Sequence, residues 1–167
     1  MKTKGIIVAI ILNICALTGF AQGNTPFKSF LENGRIGSSF ISKSMLDMAP
    51  DLKIGATSIS KIANILDQIE IYTNPTDASK IRFPGYLLYQ NAVVLLDRVN
   101  YELLLKLDKK QENIAFYTKK IEKKSDKFSE LIVITTNSLE SAERGDCTII
   151  RLVGNFTIND IKKIISQ

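Results

Sequence analysis

The sequence predicts an α+β fold, in which helices pack on a mainly antiparallel sheet of about six strands. Before residue 100, apolar residues recur mostly at helical spacing, most clearly from Pro84 to Arg98. From Tyr101 onward the period changes to two, over several segments that polar turns separate. The segment after Thr157 returns to helical spacing. The expected order is helix, strand, two helices, strand, helix, four strands and a closing helix.

The elements of the first half follow from local signals. Thr25 can cap a helix, and Pro26 suits the first helical turn. Between Ile59 and Leu66 the apolar residues fall at i, i+3, i+4 and i+7, which places them on one helix face. The predicted elements are a short helix from Thr25, a strand at Ile36–Ser42, a helical turn at Met45–Met48, a helix at Ile59–Leu66, a strand at Ile69–Thr73 and a helix at Pro84–Arg98.

The second half predicts a meander of strands followed by a helix. Leu131–Thr136 is apolar on both faces, which is typical of a strand inside a sheet. Thr157 and Asp160 have the spacing of a capping box and predict the start of the closing helix. The predicted strands are Tyr101–Asp108, Asn113–Ile121, Leu131–Thr136 and Cys147–Val153.

Residues 1–21 have the pattern of a signal peptide. A basic start precedes an apolar stretch, Gly5–Leu17, and small residues stand at −3 and −1 of a cut at Ala21–Gln22. The stretch is shorter than the roughly 20 residues that span a bilayer, so cleavage is favoured over an uncleaved membrane anchor. We therefore expect export to the periplasm or the cell exterior, with no transmembrane segment in the mature chain.

Composition limits the chemistry of the mature chain, residues 22–167, which we expect to form a single domain. The sequence has no histidine, which excludes histidine-based triads, imidazole bases and imidazole metal ligands. Cys147 is the single cysteine after the leader, so an intramolecular disulfide is excluded. The net charge of +5 falls to +3 when Lys2 and Lys4 leave with the leader.

Sequence motifs assign no catalytic, cofactor-binding or metal-binding residue. Ser58 and Lys61 match a serine–lysine pattern but lack its partner motifs, so we expect Ser58 to cap a helix and Lys61 to face solvent. Glu140, Glu143 and Asp146 match no calcium loop, which favours a solvated acidic loop over a metal site. A carboxylate pair acting on glycans stays open, because such acids need not be neighbours in sequence.

The positive charge is concentrated in one part of the chain. Eight lysines and four acids lie between residues 106 and 127, a local net charge of +4. If both hairpin turns form one basic end, it could attract anionic lipid, glycan or an acidic envelope protein; the alternative is a solvated rim that protects edge strands. Nucleic acid is not expected, because the cluster lacks arginine. The lysines are Lys106, Lys109, Lys110, Lys119, Lys120, Lys123, Lys124 and Lys127.

Several segments together resemble the domain-of-unknown-function 4252 family. These segments are Gly19–Gln22, Phe40–Leu46, Tyr101–Leu104, Ser129–Val133 and Leu152–Ile161. The resemblance implies a small exported protein of the Bacteroidetes type, with a compact α+β domain located in the cell envelope. The family has no established activity, so the resemblance assigns no functional residue.

The favoured function is a non-enzymatic binding or interaction module of the envelope. One alternative is a hydrolase of envelope material that uses carboxylates or a serine–lysine pair. The other is a structural subunit of an envelope assembly, for which an exposed apolar patch or an unpaired edge strand would be the sign.

Overall fold

The computed structural model describes most of the chain after residue 24 and confirms the α+β prediction. The described residues are 25–32, 36–49, 53–54, 57–58, 61–74, 84–108, 112–121, 126–137 and 146–165. Within them, helices pack on an antiparallel sheet of six strands, in nearly the predicted order. The predicted leader, residues 1–21, lies outside the described residues.

The helices and strands have the following bounds. The helices are α1 (Lys28–Glu32), α2 (Lys43–Met48), α3 (Pro84–Arg98) and α4 (Ile158–Ile165), and a short 3-10 helix covers Ala63–Ile65. The strands are β1 (Gly37–Ser42), β2 (Lys53–Ile54), β3 (Thr57–Ser58), β4 (Leu66–Thr73), β5 (Glu102–Asp108), β6 (Glu112–Lys120), β7 (Lys127–Asn137) and β8 (Cys147–Thr157). None of the described helices is both long and apolar enough to cross a membrane.

The main sheet has the strand order β1-β4-β8-β7-β6-β5, and β2 and β3 form a separate two-stranded pair. All of its neighbouring strands are antiparallel. β7 lies between β8 and β6, which confirms that the segment apolar on both faces is an interior strand. β1 and β5 are the two edges of this sheet.

The helix predicted at Ile59–Leu66 is wrong. Within the described residues 61–66, the helical part is the 3-10 helix Ala63–Ile65, because Leu66 already begins β4 and pairs with Gly154 of β8. Ile62, Ala63 and Leu66 are nevertheless all buried. The apolar spacing therefore marks a buried turn that leads into a strand, rather than two turns of helix.

The C-terminal end of α3 fixes how the chain enters the meander. The backbone N–H of Asn100 donates to the carbonyl of Asp97, and that of Tyr101 donates to the carbonyl of Leu96. Asn100 has a φ of 60°, a left-handed conformation that asparagine tolerates better than most residues. This pair of bonds is the Schellman arrangement that ends many helices. The chain reverses direction there, so that Tyr101 lies next to the sheet on which α3 packs.

The sheet is apolar on both faces. On the front face, α3 packs on β7 and β8; the buried residues there are Phe27, Tyr72, Leu88, Ala92, Leu96, Tyr101, Ala115, Tyr117, Ile132, Ile134, Cys147 and Ile149. On the back face, α2 packs on β1 and β4, and α4 packs on β7 and β8; the buried residues there are Leu46, Ile62, Leu66, Ile69, Phe116, Phe128, Leu131, Leu152, Phe156 and Ile161. Each face therefore carries its own apolar cluster.

The junction between β8 and α4 confirms the predicted cap. The N–H of Thr157 donates to Oδ2 of Asp160 over 3.0 Å, and the N–H of Asp160 donates to Oγ1 of Thr157 over 3.3 Å. Two backbone donors at the helix start are thus satisfied reciprocally, as in a capping box.

Candidate functional site

The lysine cluster does not form one basic end among the described residues. Lys106 lies on β5 opposite Ala115 of β6, whereas Lys119 and Lys120 end β6 and Lys127 begins β7. The β5–β6 and β6–β7 connections leave opposite ends of β6, about 26 Å apart at 3.3 Å per residue. The other four lysines, Lys109, Lys110, Lys123 and Lys124, lie outside the described residues.

Three of the described lysines lie beside carboxylates. Their Nζ–Oδ or Nζ–Oε distances are 3.2 Å for Lys106–Asp108, 3.7 Å for Lys119–Glu130 and 3.4 Å for Lys120–Glu102. The pairs Lys106–Asp108 and Lys120–Glu102 are exposed and contribute little stability, and all three pairs lower the local net charge that an anionic partner would meet. This arrangement favours the solvated rim over the basic binding surface, and binding of an anionic partner stays a prediction.

A buried charged cluster, which we define as Glu70, Glu130 and Arg151, lies on the front face. Glu70 on β4 is directly opposite Arg151 on β8, and Glu130 on β7 lies diagonally across from Arg151. Nη1 of Arg151 donates to Oε1 of Glu70, and Nε of Arg151 donates to Oε2 of Glu130, each over 2.6 Å. All three residues are at most 8% exposed. One guanidinium thus connects three adjacent strands.

Hydroxyl groups complete the hydrogen bonds of both carboxylates. The Tyr72 hydroxyl donates to Oε2 of Glu70 over 2.6 Å, and the Tyr101 hydroxyl donates to Oε2 of Glu130 over 2.5 Å. Thr25 Oγ1 also donates to Oε2 of Glu70, over 2.9 Å. The charged cluster therefore ties the segment before α1 and the segment after α3 to the middle of the sheet.

These contacts decide the ionisation of Glu130. Burial opposes its charged form, but the hydrogen bonds from Arg151 and Tyr101 outweigh burial and hold the pKa of Glu130 below its ordinary value. Burial, with a hydrogen bond to a carboxylate, raises the pKa of both Tyr72 and Tyr101. Glu130 is therefore held as a carboxylate beside the Arg151 guanidinium, and Tyr72 and Tyr101 remain neutral phenols.

This ionisation does not suit general acid catalysis. A carboxyl group that donates a proton near neutral pH needs a raised pKa, and the pKa of Glu130 is lowered. The lone pairs of Glu70 and Glu130 already accept bonds from Arg151 and from tyrosine hydroxyls. The arrangement holds strands together, and the sequence analysis missed it. The available signal was a charge within an apolar strand, as at Arg151 between Ile150 and Leu152.

The described residues of the other sequence motifs do not come together as a catalytic or metal-binding site. Ser58 belongs to β3 instead of capping a helix, and Lys61 is exposed, as expected. Asp146 is exposed and accepts a bond from the Asn74 amide over 3.4 Å, while residues 140 and 143 lie outside the described part. Among the described residues, no group of three or more cysteine or carboxylate side chains is placed to hold a metal ion.

Half of the back face forms a surface that we call the open strip. On β7, Ile132 and Ile134 are buried beneath α3 on the front face, whereas Val133 between them is only partly buried on the back face. The same alternation separates Ile149 from Ile150 on β8. The residues of this half are only partly buried, whereas the back-face residues that cluster with Leu46 of α2 and Ile161 of α4 are buried. The open strip consists of Ile71, Thr73, Leu105, Leu107, Ile114, Val133, Thr135, Thr148 and Ile150, all partly buried.

Strand register arranges the open strip in two rows across five strands. One row follows the cross-strand partners Ile71, Ile150 and Val133, then continues through buried Phe116 to Leu105. The second row follows Thr73, Thr148, Thr135, Ile114 and Leu107. Five strands about 4.8 Å apart and two rows about 6.6 Å apart give a strip of roughly 24 by 13 Å. It contains no charged residue.

The β5 edge of the sheet is also apolar. Leu103 is 52% exposed and Leu104 is 39% exposed. The pairing of β5 with β6 shifts register between Leu103 and Leu105, which marks a β-bulge. A bulge and the flanking charges at Glu102 and Lys106 are common protections of an edge strand. The edge therefore resembles a protected strand more than a docking site.

Comparison with known proteins identifies a family without a known activity. A family model described as a domain of unknown function, DUF4252, matches residues 30–164, from α1 through α4. No curated protein and no solved structure matches the chain. The matched range contains the whole sheet, the buried charged cluster and the open strip. The resemblance seen in the sequence is confirmed: the chain belongs to the DUF4252 family.

Proposed function

We propose that this chain is an exported, non-enzymatic interaction module of the cell envelope, and that it binds its partner through the open strip. The single observation that carries the proposal is that the two halves of the back face differ in how far their apolar residues are buried. α2 and α4 pack on one half of this face, while the apolar residues of the other half stay partly exposed. The signal-peptide pattern of residues 1–21 supports export.

The open strip is suited to a protein partner rather than an anionic one. Its residues are aliphatic or threonine, so covering it removes apolar surface from water at about 25 cal/mol per Å². Contiguous apolar surface on a folded chain is a common sign of an interaction site. The described lysines, by contrast, lie in separate places and three of them lie beside carboxylates.

The hydrolase alternative has less support from the geometry. Glu70 and Glu130 are buried acids of the front face, and Arg151 donates a hydrogen bond to each of them. The pKa of Glu130 is lowered, whereas a general acid needs a raised pKa. Lys61 is exposed, whereas an activated serine–lysine pair needs a buried lysine. The structural-subunit alternative is supported by the same open strip, since a subunit also needs apolar surface for its neighbours.

A binding experiment with matched variants tests the proposal. The mature chain, residues 22–167, is incubated with envelope membranes of the native host, with anionic lipid vesicles and with envelope glycan. We expect retention on membranes that persists at 0.5 M salt, where the Debye length is roughly 4 Å and attraction between exposed charges is largely screened. Val133→Lys, in the middle of the open strip, should reduce this retention at least tenfold.

The control places the same charge elsewhere. Ser38→Lys adds a lysine to an exposed position of β1, outside the open strip, and should leave retention unchanged. Replacing Lys106, Lys119, Lys120 and Lys127 by glutamine tests the electrostatic version. Retention that disappears in this lysine variant but survives Val133→Lys would contradict the proposal.

A further inference from the structure

We infer that the front face of the sheet carries a peptide-binding site, and that residues 25–32 of the chain itself, which we call the N-terminal strap, are a detachable occupant of this site. The peptide that the site fits has a hydroxyl residue two positions before an aromatic residue, as in Thr25-Pro26-Phe27. The site lies on the face opposite the open strip, so it goes beyond the proposed function and does not depend on it.

Phe27 is the apolar anchor of the N-terminal strap. Its side chain is fully buried, and its ring centroid lies 5.1 Å from that of Tyr72 and 5.4 Å from that of Phe30. Both ring pairs are tilted, within the range of arrangements that aromatic side chains favour. Phe27 belongs to the same buried cluster as residues of α3 and of the middle strands. The front face therefore provides a place for one aromatic side chain.

Thr25 is the polar anchor of the N-terminal strap. Its Oγ1 donates to Oε2 of Glu70 over 2.9 Å, lies 2.9 Å from the Tyr72 hydroxyl, and accepts a bond from the N–H of Phe27 over 3.3 Å. A hydroxyl can donate and accept at once, whereas a carboxylate only accepts and would be repelled by Glu70. An apolar side chain would remove one donor from the buried carboxylate. These contacts select threonine or serine at this position.

The two anchors hold the N-terminal strap on the sheet by side chains. Its turn-forming backbone bonds run from Lys28 to Thr25 and from Phe30 to Phe27, inside the strap. The strands, by contrast, are joined by backbone pairing, in which the strap takes no part among the described residues. α1 has five residues, fewer than an isolated helix needs to be stable in water. The strap can therefore open locally while the sheet stays folded.

The attached strap competes with any other peptide for the site. A segment that belongs to the same chain as its site acts at an effective concentration of the order of millimolar. A free peptide at micromolar concentration should therefore bind the unmodified chain poorly. Weakening either anchor of the strap should make Tyr72 and Glu70 accessible to a partner peptide with the same two anchors.

Fluorescence anisotropy of a labelled peptide with the sequence of residues 22–32 tests this competition. We expect the peptide to bind the mature chain carrying Phe27→Ala at least roughly tenfold more tightly than the unmodified mature chain. A peptide that carries Phe27→Ala itself should not bind either chain. Thr25→Val in the mature chain is a milder variant, in case Phe27→Ala does not fold as checked by circular dichroism, and should give a smaller gain in the same direction.

Leu152→Ala is the matched control for general loss of stability. Leu152 is buried on the back face, so its truncation leaves a cavity there and leaves both anchors of the strap in place. This variant should bind the peptide no better than the unmodified chain. Equal binding by Leu152→Ala and Phe27→Ala would show that any destabilised chain binds the peptide, and would overturn the inference.

Hydrogen exchange of the unmodified chain tests whether the strap opens by itself. The amides of Lys28 and Phe30 are bonded inside the strap, whereas those of β7 lie in the interior of the sheet. The strap amides should be protected at least roughly a hundredfold less than the most protected amides of β7. Equal protection would mean that the strap opens only when the whole chain unfolds, and would overturn the inference without the need for any variant.

The outcomes separate this inference from the proposed function. A folded Phe27→Ala chain that does not bind the peptide overturns the inference, and membrane retention that is still sensitive to Val133→Lys would then leave the proposed function intact. Peptide binding by Phe27→Ala supports the inference even if Val133→Lys leaves membrane retention unchanged, a result that contradicts the proposed function alone.

Discussion

Glu70 and Arg151 face each other across β4 and β8, joined by a hydrogen bond of 2.6 Å, with each side chain only 5% exposed. Removing two charges from water is costly, so this contact is tolerated only because each group has further partners. Arg151 also binds Glu130, and Glu70 also accepts from Tyr72 and Thr25. In the described part of the chain, no fully buried side-chain polar atom lacks a hydrogen-bond partner.

Arg151→Met should strongly destabilise the fold. The substitution leaves the carboxylates of Glu70 and Glu130 buried without their shared cation, and breaking a buried ion pair in this way costs about 3–5 kcal/mol. Urea unfolding followed by circular dichroism measures the change in the free energy of unfolding. Lys106→Met removes an exposed ion pair instead and should change it by less than about 1 kcal/mol. Equal effects of the two substitutions would show that the buried charged cluster is not a main source of stability.

Tyr101→Phe isolates one hydrogen bond of the buried charged cluster. The change removes the hydroxyl that donates to Glu130 over 2.5 Å and leaves the ring in place. A hydrogen bond to a charged group contributes about 1.5–3 kcal/mol, so we expect a loss of that size in the free energy of unfolding. Tyr86→Phe is the matched control, because Tyr86 is exposed on α3. A loss below about 0.5 kcal/mol for Tyr101→Phe, within the range of ordinary surface changes, would contradict the assignment.

The pKa of Glu130 predicts how stability depends on pH. Because the folded-state pKa lies below the unfolded value, the contribution of Glu130 is complete above the unfolded pKa. It is lost as the pH falls through the folded-state pKa. We expect the free energy of unfolding to decrease below about pH 4.3, the usual pKa of glutamate. Glu130→Gln should flatten this decrease, as measured by urea unfolding from pH 7 to pH 3, whereas Asp108→Asn, at an exposed pair, should preserve it. An unchanged acid slope in Glu130→Gln would refute the assignment.

The sequence predicted most of the architecture because local signals determine it. Pro84 and Arg98 bound α3 as predicted, since the apolar stripe between them coincides with a proline start. The meander followed from period-two alternation. The helix at Ile59–Leu66 failed because buried residues at helical spacing also fit a turn followed by a strand. There, pairing of Leu66 with β8 decided the conformation.

The candidate sites were less predictable because they depend on contacts between distant segments. Glu70 and Arg151 are 81 residues apart, so their pairing follows from strand order rather than from any motif. A strand that is apolar on both faces, such as β7, indicates burial on both sides. It cannot show that Val133 and Thr135 stay partly exposed while Leu131 on the same face is fully buried. The basic patch stays a prediction, because four of its eight lysines lie outside the described residues.

Gly154→Ala should be destabilising for a reason visible only in the fold. A Cβ added at Gly154 would lie 2.1 Å from the carbonyl oxygen of Ile65. This oxygen belongs to the backbone, so a change of side-chain rotamer cannot move it away. Overpacking of this kind costs about 1–3 kcal/mol. Gly37→Ala is the matched control, because its nearest atom at 2.6 Å is the Thr73 hydroxyl, which can change rotamer. Thermal unfolding compares the two, and a smaller effect at Gly154 than at Gly37 would contradict this explanation.

Cys147 should be chemically inert while the chain is folded. The side chain is fully buried beside Ile149 on the front face, and burial raises the pKa of the thiol to about 12. Because the thiolate is the reactive form, a thiol reagent such as Ellman's reagent should react at least a hundredfold more slowly with the folded chain than with the chain in 6 M guanidinium chloride. Arg151→Met should increase the native rate, since reaction then proceeds through more frequent unfolding. Rapid reaction of the unmodified folded chain would show that the cover of α3 over β8 opens readily, which would conflict with the packing on the front face.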